Sequence, residues 1–334
     1  MGRSVEGGVE QMGNDFSIVL ITWNSARFLE RCAAGILSQS GAHRDLVVID
    51  NASTDGTCER VAALLPDARL VRNETNVGFA AAANQGIALT RGEWVLLLNP
   101  DVHLSSDYAE CVIAAMVAAG ERFGSGTGKL LQGVGDTIEP TGLVDSRGIR
   151  MTRGGRHFDI ANGEPDTRDA SGPVEVFGVS GAAAVYRRAM LDDVAVDGEV
   201  FDEGFFAYRE DADLAWRARL MGWRAICEPA ALAWHVRTVT PAARRSLPAA
   251  INMHGVKNRF LLRLKNEGLG LALRNAPWEL ARDLVVVAAT LTVERSSLPA
   301  FSWLWQHRAS ILRKRREIQS RRRVPDAGLF HWFR

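Results

Sequence analysis

Short apolar runs alternate with stretches of helical periodicity over the first 120 or so residues of this chain. The pattern predicts strands over 17–22, 46–50, 69–72 and 94–99, separated by helices over 26–38, 57–65, 80–90 and 106–119. Strands that alternate with helices imply a mostly parallel sheet covered on both faces, an α/β architecture. From Phe123 to Pro173 the sequence turns rich in Gly and Thr, with Arg147, Arg150, Arg153, Arg156 and Arg168 interspersed. That stretch reads as strands and loops able to close over a substrate. After Pro241 the pattern is helical and basic, and residues 1–15, Gly-rich and of mixed charge, read as a disordered tail.

The densest chemistry lies at 205–213. Glu210, Asp211 and Asp213 fall within four residues at the start of an amphipathic helix, directly after Phe205, Phe206 and Tyr208. Acids in a first turn meet the positive end of the helix dipole, and Asp213 with Arg217 has helix ion-pair spacing, so a structural reading exists. The aromatic run supports a second one: rings beside a carboxylate desolvate it, raise its proton affinity and suit it to take a proton from a bound hydroxyl. Upstream, two apolar strands end in acids. One stops at Asp50-Asn51-Ala52-Ser53-Thr54-Asp55-Gly56; the other stops at Asn99-Pro100-Asp101, where Pro100 cannot extend the ladder. In an open α/β sheet the carboxyl ends of strands are where ligands bind.

With these motifs in order the chain resembles the inverting family-2 glycosyltransferases of the GT-A fold, specifically their bacterial rhamnosyltransferase-like branch. The matching residues are Ser17 to Asn24, Ile49 to Gly56, Asn76-Val77-Gly78-Phe79-Ala80 with Asn84-Gln85-Gly86, Leu98 to Asp101, Val179 to Ala182, Glu210-Asp211 and Trp234-His235. The resemblance covers about residues 16 to 265, and several motifs in order are more specific than any one alone. It implies a catalytic domain over 16–240, with a nucleotide-binding half (16–130) and an acceptor half (131–240), followed by a basic helical region over 241–334.

The resemblance also implies roles. Thr22, Trp23 and Asn24 line the base and ribose, and Asp50 beside Asn51 accepts the N3 hydrogen of uracil or thymine. Each has a plain alternative, since Asp50 can simply cap the turn with Asn51 and Ser53. Asn76, Gly78 and Phe79 belong to the donor-binding site, with a plain strand-to-helix turn as the alternative, and Asn84 on the following small-residue helix offers the nucleotide an amide. Asn99 and Asp101 stand where the family has Asp-x-Asp, a departure that leaves Asp101 as the one strong anionic ligand. His235 is the second metal candidate, with Mg2+ or Mn2+ as the cofactor. Ser180 and Gly181 lie under the donor sugar. Asp211 is the catalytic base, Glu210 orients acceptor or base, and Asp213 holds the helix through Arg217.

The implied activity is transfer of L-rhamnose from dTDP-L-rhamnose to a hydroxyl of a saccharide or lipid-linked saccharide in cell-surface polysaccharide assembly. A UDP-hexose or UDP-galactofuranose donor, and a non-catalytic nucleotide-sugar-binding protein, stay open as alternatives. The absence of a Gly-x-Gly-x-x-Gly turn argues against a dinucleotide site.

Charge changes the picture once more. The net charge of +1 conceals 18 Lys/Arg against 6 Asp/Glu from Pro241 onward, a local +12, with −11 in the remainder. With Trp303, Trp305, Trp332 and Phe333 nearby, the clusters Arg313 to Arg316 and Arg321 to Arg323 suggest an anionic membrane surface as partner; no nucleic-acid module accompanies them. A solvated helix or a homo-oligomer contact is the alternative. Cys32, Cys58, Cys111 and Cys227 show no paired-ligand spacing and read as reduced. With no signal peptide, and an apolar stretch at 284–293 near half of the roughly 20 residues a spanning helix needs, the expected place is the cytoplasm, peripheral to the inner face of its membrane.

Overall fold

The structure is a computed structural model and describes residues 16–39, 45–167, 172–237 and 249–334. The N-terminal tail, Arg168 and the proposed boundary near residue 240 lie outside the described residues.

Strands β1 (Phe16–Thr22), β2 (Leu46–Asp50), β3 (Arg69–Arg72) and β4 (Trp94–Leu98) pair in parallel in the order 3-2-1-4, and helices α1 (Leu29–Leu37), α2 (Thr57–Leu64) and α3 (Phe79–Leu89) connect them. β1 and β2 are buried at every position, as strands covered on both faces must be. The helix expected over 26–38 opens as a 3-10 turn, Ala26–Phe28, before α1. α3 seats closely because its small residues allow it. A Cβ on Gly86 would stand 2.2 Å from a Val19 methyl, so only glycine fits that contact.

Beyond β4 the sheet changes character. After β5 (Val102–Leu104) and α4 (Tyr108–Ala119), β6 (Phe123–Val134) runs twelve residues and pairs with β7 (Glu139–Ser146). The short hairpin of β8 (Ile149–Met151) and β9 (His157–Asp159) follows, then β10 (Val174–Val176), β11 (Ala183–Arg187) and α5 (Arg188–Val194). α6 (Glu210–Leu220) carries the acids, and β12 (Arg224–His235) completes the sheet in the order β3-β2-β1-β4-β11-β6-β12-β10. β11 lies antiparallel to both β4 and β6. Strand order therefore reverses around β1 and β4, and the crevice at their carboxyl ends is the ligand position expected of such a sheet.

β12 is not a regular strand. Its partner register on β6 jumps from Glu228 opposite Gly128 to Leu232 opposite Lys129, and its far end pairs with β5 so that His235 stands opposite Val102. Three arginines of the 123–173 stretch lie against aromatic rings: Arg150 and Arg156 over the Phe158 ring at 5.0 and 4.3 Å, and Arg153 over Trp278 at 4.6 Å.

Two cores fill the sheet's faces. One gathers α1, α2 and α4 around Leu29, Ile36, Val61 and Tyr108; the other gathers α3, α5 and α6 around Ala83, Leu191 and Leu214. A third forms where α6 presents Trp216 to the C-terminal helices α7 (Ala249–Asn266), α8 (Leu269–Thr292), α9 (Pro299–Gln306), α10 (Arg308–Arg321) and α11 (Asp326–Leu329). Much of the C-terminal positive charge turns inward there. Lys265 pairs with Asp202 and Asp213, Lys314 with Glu199 and Asp202, Arg313 with Asp197, Arg321 with Glu317, Arg322 with Asp326 and Arg323 with Asp193. Of the two basic clusters, Arg313, Lys314 and Arg323 thus pair with acids of the catalytic half, Arg321 and Arg322 with acids of their own region, and Arg315 and Arg316 reach backbone carbonyls. The cysteines are free.

Candidate active site

The segment leading into α6 carries unusual backbone. Phe206, Tyr208 and Arg209 adopt φ of 66°, 69° and 73°, a left-handed region costing roughly 1–3 kcal/mol for each non-glycine residue. What holds it is α7. Asn258 Nδ2 lies 3.0, 2.8 and 2.7 Å from the carbonyl oxygens of Phe205, Ala207 and Tyr208, and Lys257 Nζ donates to the Gly204 carbonyl at 2.6 Å. From the other side, Ala80 N donates to the Phe206 carbonyl, and Gly78, at φ 88°, lies so close to Phe206 that a Cβ would clash at 2.6 Å.

The acids of α6 then divide by environment. Asp213 is fully buried and receives Arg217 Nε at 2.9 Å, Lys265 Nζ at 3.1 Å and Asn266 Nδ2 at 2.7 Å. It is a structural anchor, as the helix spacing implied, but through more partners than Arg217 alone. Asp211 accepts the amides of Gly181 at 3.3 Å and Ala212 at 2.7 Å. Burial, and next the carboxylate of Asp159, push its carboxyl up to about 6, while those amides pull the other way. Glu210 is buried with Oε2 lacking a hydrogen-bond partner, and burial followed by the charge of Asp211 raises it well above the ordinary range. The two neighbours thus differ in environment, Glu210 being held more strongly toward its protonated form while Asp211 keeps two amide donors that favour the carboxylate.

A second charged cluster adjoins Asp211. The β5–β12 ladder, extended by Val236 N donating to the Asp101 carbonyl at 2.9 Å, sets Asp101 beside His235. Asp101 Oδ1 is buried without a hydrogen bond, and His235 Nε2 stands 3.5 Å from it. His235 Nδ1 lies 2.8 Å from Asp145 Oδ2, which also receives Arg237; Arg237 reaches on to Asp159 at 2.7 Å. Burial opposes charge on His235, yet Asp101 and Asp145 outweigh it and hold the imidazolium up to about 10.

These residues fit a divalent cation. An orphaned carboxylate oxygen and an imidazole nitrogen converge on one point, and a carboxylate behind the far ring nitrogen fixes the ring, the usual support of a metal-bound histidine. Among the described residues no group of three His, Cys, Asp or Glu surrounds a common point, so oxygens of a bound diphosphate or water would complete the shell.

The sequence matches glycosyl transferase family 2 over residues 17–195. The chain belongs to that family. A family-2 relative, the N-acetylglucosaminyl-diphospho-decaprenol L-rhamnosyltransferase of Mycobacterium tuberculosis, is 28% identical over 243 residues, 65% of this chain and 75% of its own length. The succinoglycan biosynthesis protein ExoO of Rhizobium meliloti is 35% identical over 138 residues, 41% of this chain and 36% of its own. Among solved structures, GalNAc-T7 with UDP, GalNAc and Mn2+ superposes with a TM-score of 0.60 at 14% identity, over 77% of this chain and 48% of that one. Residues 1–349 of S. aureus TarS superpose with a TM-score of 0.54 at 16% identity, over 92% of this chain and 90% of theirs. At such identities these establish the fold, which is GT-A.

In this family-2 chain the nucleotide-side residues form a tightly bonded cradle. Asp50 is buried; Thr22 Oγ1 and Ser53 Oγ donate to its Oδ1 at 2.8 and 2.5 Å, and Ser53 N to its Oδ2 at 2.9 Å. Asn51 donates to the Gly78 carbonyl and accepts from Asn73, which also reaches Gln85. Asn24, at φ 48°, accepts from Thr54 N, and Trp23 is 55% exposed at the mouth. Asn76 caps Gly78 N at 2.9 Å, and Phe79 packs edge-on against Phe201.

Asn84 corrects its expected role. Its amide spends both ends on the Phe201 backbone, at 2.8 and 2.9 Å, and ties α3 to the loop before α6 rather than offering itself to a nucleotide. Asn99 joins β4 to the 180–182 loop through its backbone, N to the Ala182 carbonyl at 2.9 Å, and Ser180 caps Ala182 N.

Sequence reasoning missed Asp145, Asp159, Arg237 and the α7 residues Lys257 and Asn258. Arg237 had a signal: it follows His235 by two positions in an extended segment and so shares its face.

Proposed function

We propose that this protein is an inverting, metal-dependent glycosyltransferase that moves a sugar, L-rhamnose from dTDP-L-rhamnose, to a hydroxyl of a lipid-linked saccharide. The observation that carries the reading is Asp211, held by the Gly181 and Ala212 amides with its carboxyl pushed by burial up to about 6, and linked through Asp159, Arg237 and Asp145 to the Asp101–His235 pair. In a single displacement, Asp211 takes the acceptor proton while the hydroxyl oxygen bonds the anomeric carbon and the bond to the nucleotide diphosphate breaks. A bound Mg2+ or Mn2+ would neutralise charge developing on that diphosphate. Asp101 and His235 would hold it, and Arg237 would stand by the same anionic group. Asp50 would accept the base N3 hydrogen, with exposed Trp23 against the ring and Thr22, Asn24 and Asn51 keeping the cradle in shape. Ser180, Gly181 and Asn99 would bound the donor sugar.

The rhamnosyl donor and lipid-linked acceptor are supported by the relative that bears them in its name, and such an acceptor would bring the enzyme to the cytoplasmic face of a membrane. A panel of dTDP- and UDP-sugars, with and without metal, read by thermal stabilisation and then by transfer, tests base, sugar and cation together. Stabilisation by dTDP-L-rhamnose only with metal present is the expected result; equal stabilisation by every donor without metal would overturn it.

A further inference from the structure

Helix α8 is amphipathic the wrong way round for a helix lying on a soluble core. Its inward side is polar: Asn275 and Glu279 are buried, and Glu279 and Asp283 pair with Arg263 and Arg259 of α7, each at 3.1 Å. Its outward side carries Leu269, Leu273, Pro277, Leu280, Leu284 and Leu291, all exposed, Leu284 by 71%. Steps of three, four and seven keep these on one face, a straight stripe about 33 Å long at ~1.5 Å per residue. A run of that size is well beyond the scattered apolar residues any surface shows.

The surroundings indicate what covers it. Trp278, 47% exposed, carries Arg153 over its ring, and Trp305, 68% exposed, carries Arg308 at 4.3 Å. Arg295 follows the end of the stripe and donates to the Leu291 carbonyl. Among the described residues none of these three arginines is ion-paired to a carboxylate, unlike Arg313 and Lys314 of α10. A second copy laid stripe on stripe would bring like charges together at the rim. An anionic bilayer surface complements both parts, taking leucines at the acyl boundary, indoles at headgroup level and guanidinium groups against phosphates. No single helix among the described residues is long and apolar enough to cross a membrane; α8 and the 295–306 stretch reach that length and apolarity only together, bent by 109°, and the ion-paired polar side of α8 against α7 favours the pair lying on a bilayer.

We propose that the outward stripe of α8, flanked by Trp278 and Trp305, docks this chain in the plane of an anionic lipid surface. The apolar face, not the arginine clusters of α10, makes the attachment. This stands apart from the donor and acceptor assignments and fails or survives separately from them.

The test is flotation of the full chain with phosphatidylcholine vesicles, with and without phosphatidylglycerol. Wild type should float with the anionic vesicles. Leu280→Gln with Leu284→Gln, both at exposed positions, should lower the bound fraction by about tenfold or more. Arg295→Ala with Arg308→Ala should weaken binding only where phosphatidylglycerol is present. Should the glutamine variant unfold, quenching of wild-type tryptophan emission by brominated lipid serves instead and must be seen. No flotation by folded wild type, or flotation unchanged by the glutamine pair, overturns the proposal. So does a wild-type dimer in sedimentation velocity that the glutamine pair dissolves, which would give the face to a second copy.

Discussion

The parallel half of the sheet and the acidic half solve opposite problems. At the ends of β1 and β2 the polar side chains are bonded to one another: Thr22, Asp50 and Ser53 form one closed set, and Asn51, Asn73 and Gln85 another. Around α6 and β12, buried groups are left wanting, with Glu210 Oε2 and Asp101 Oδ1 unpartnered and three non-glycine residues at positive φ. A finished network gives shape without reactivity. An unfinished one keeps proton affinity and anionic charge available, and needs neighbours to enforce it.

The sharpest way to break this contrast is Asp211→Asn. Transfer should fall by about 10³-fold, within the range for loss of a general base, while donor affinity by calorimetry stays near wild type. In wild type, the carboxyl raised from 3.8 to about 6 means that the base form fills as pH rises, so kcat/KM should climb about tenfold per pH unit below 6 and level above it. The stability sign runs the other way. A raised carboxyl binds its proton more tightly folded than unfolded, so ionising it costs stability between about pH 4 and 6, and the asparagine variant should melt no lower than wild type at pH 7. A flat pH profile, or a collapse of donor binding in the variant, would refute the division.

Next in size, Asp101→Ala should abolish the metal dependence of donor binding, and His235→Ala should weaken it about 10- to 100-fold. Calorimetry with and without Mn2+ decides both; unchanged titrations would move the cation elsewhere. Asn258→Ala probes the enforcement itself. Freed carbonyls should cost about 1–3 kcal/mol of stability, and kcat should fall several-fold more than donor KM rises, because the strained turn that aims Asp211 relaxes. Loss of stability with kcat intact would make Asn258 merely structural. The smallest effect belongs to the finished half: Asn84→Ala should lower Tm by a few degrees, for about 1–2 kcal/mol lost, and leave donor KM alone.

Much of this was legible in the sequence where local pattern carries the information. β2 falls on the expected residues because a buried strand announces itself as an apolar run ending in turn formers, and β3, a half-buried edge strand, falls there too. Asp211 was visible because aromatic residues crowd it in sequence as well as in space. Asp145 on β7 and Asp159 on β9 were not, since nothing near them marks them; they matter through Arg237 and His235, which reach them across 78 to 92 residues. The basic C-terminus was legible only in part, for a related reason. A count of charges does not say which way a lysine points, and Lys257, Asn258, Lys265 and Asn266 sit on one face of α7 turned toward the loop and helix that carry Asp211.

The irregularity in β12 makes the cation position a matter of counting. Between Glu228 and Leu232 the strand spends extra residues while β6 advances by a single step, from Gly128 to Lys129. Side chains alternate along a strand, so removing one residue there would offer the remaining segment two choices, to turn over or to slide along its neighbours. Either carries His235 away from Asp101 without touching a residue of the site. The length of that detour therefore sets where His235 stands as much as its neighbours do, and a single-codon deletion at 229–231 should break the Asp101–His235 pair while leaving both residues in the gene.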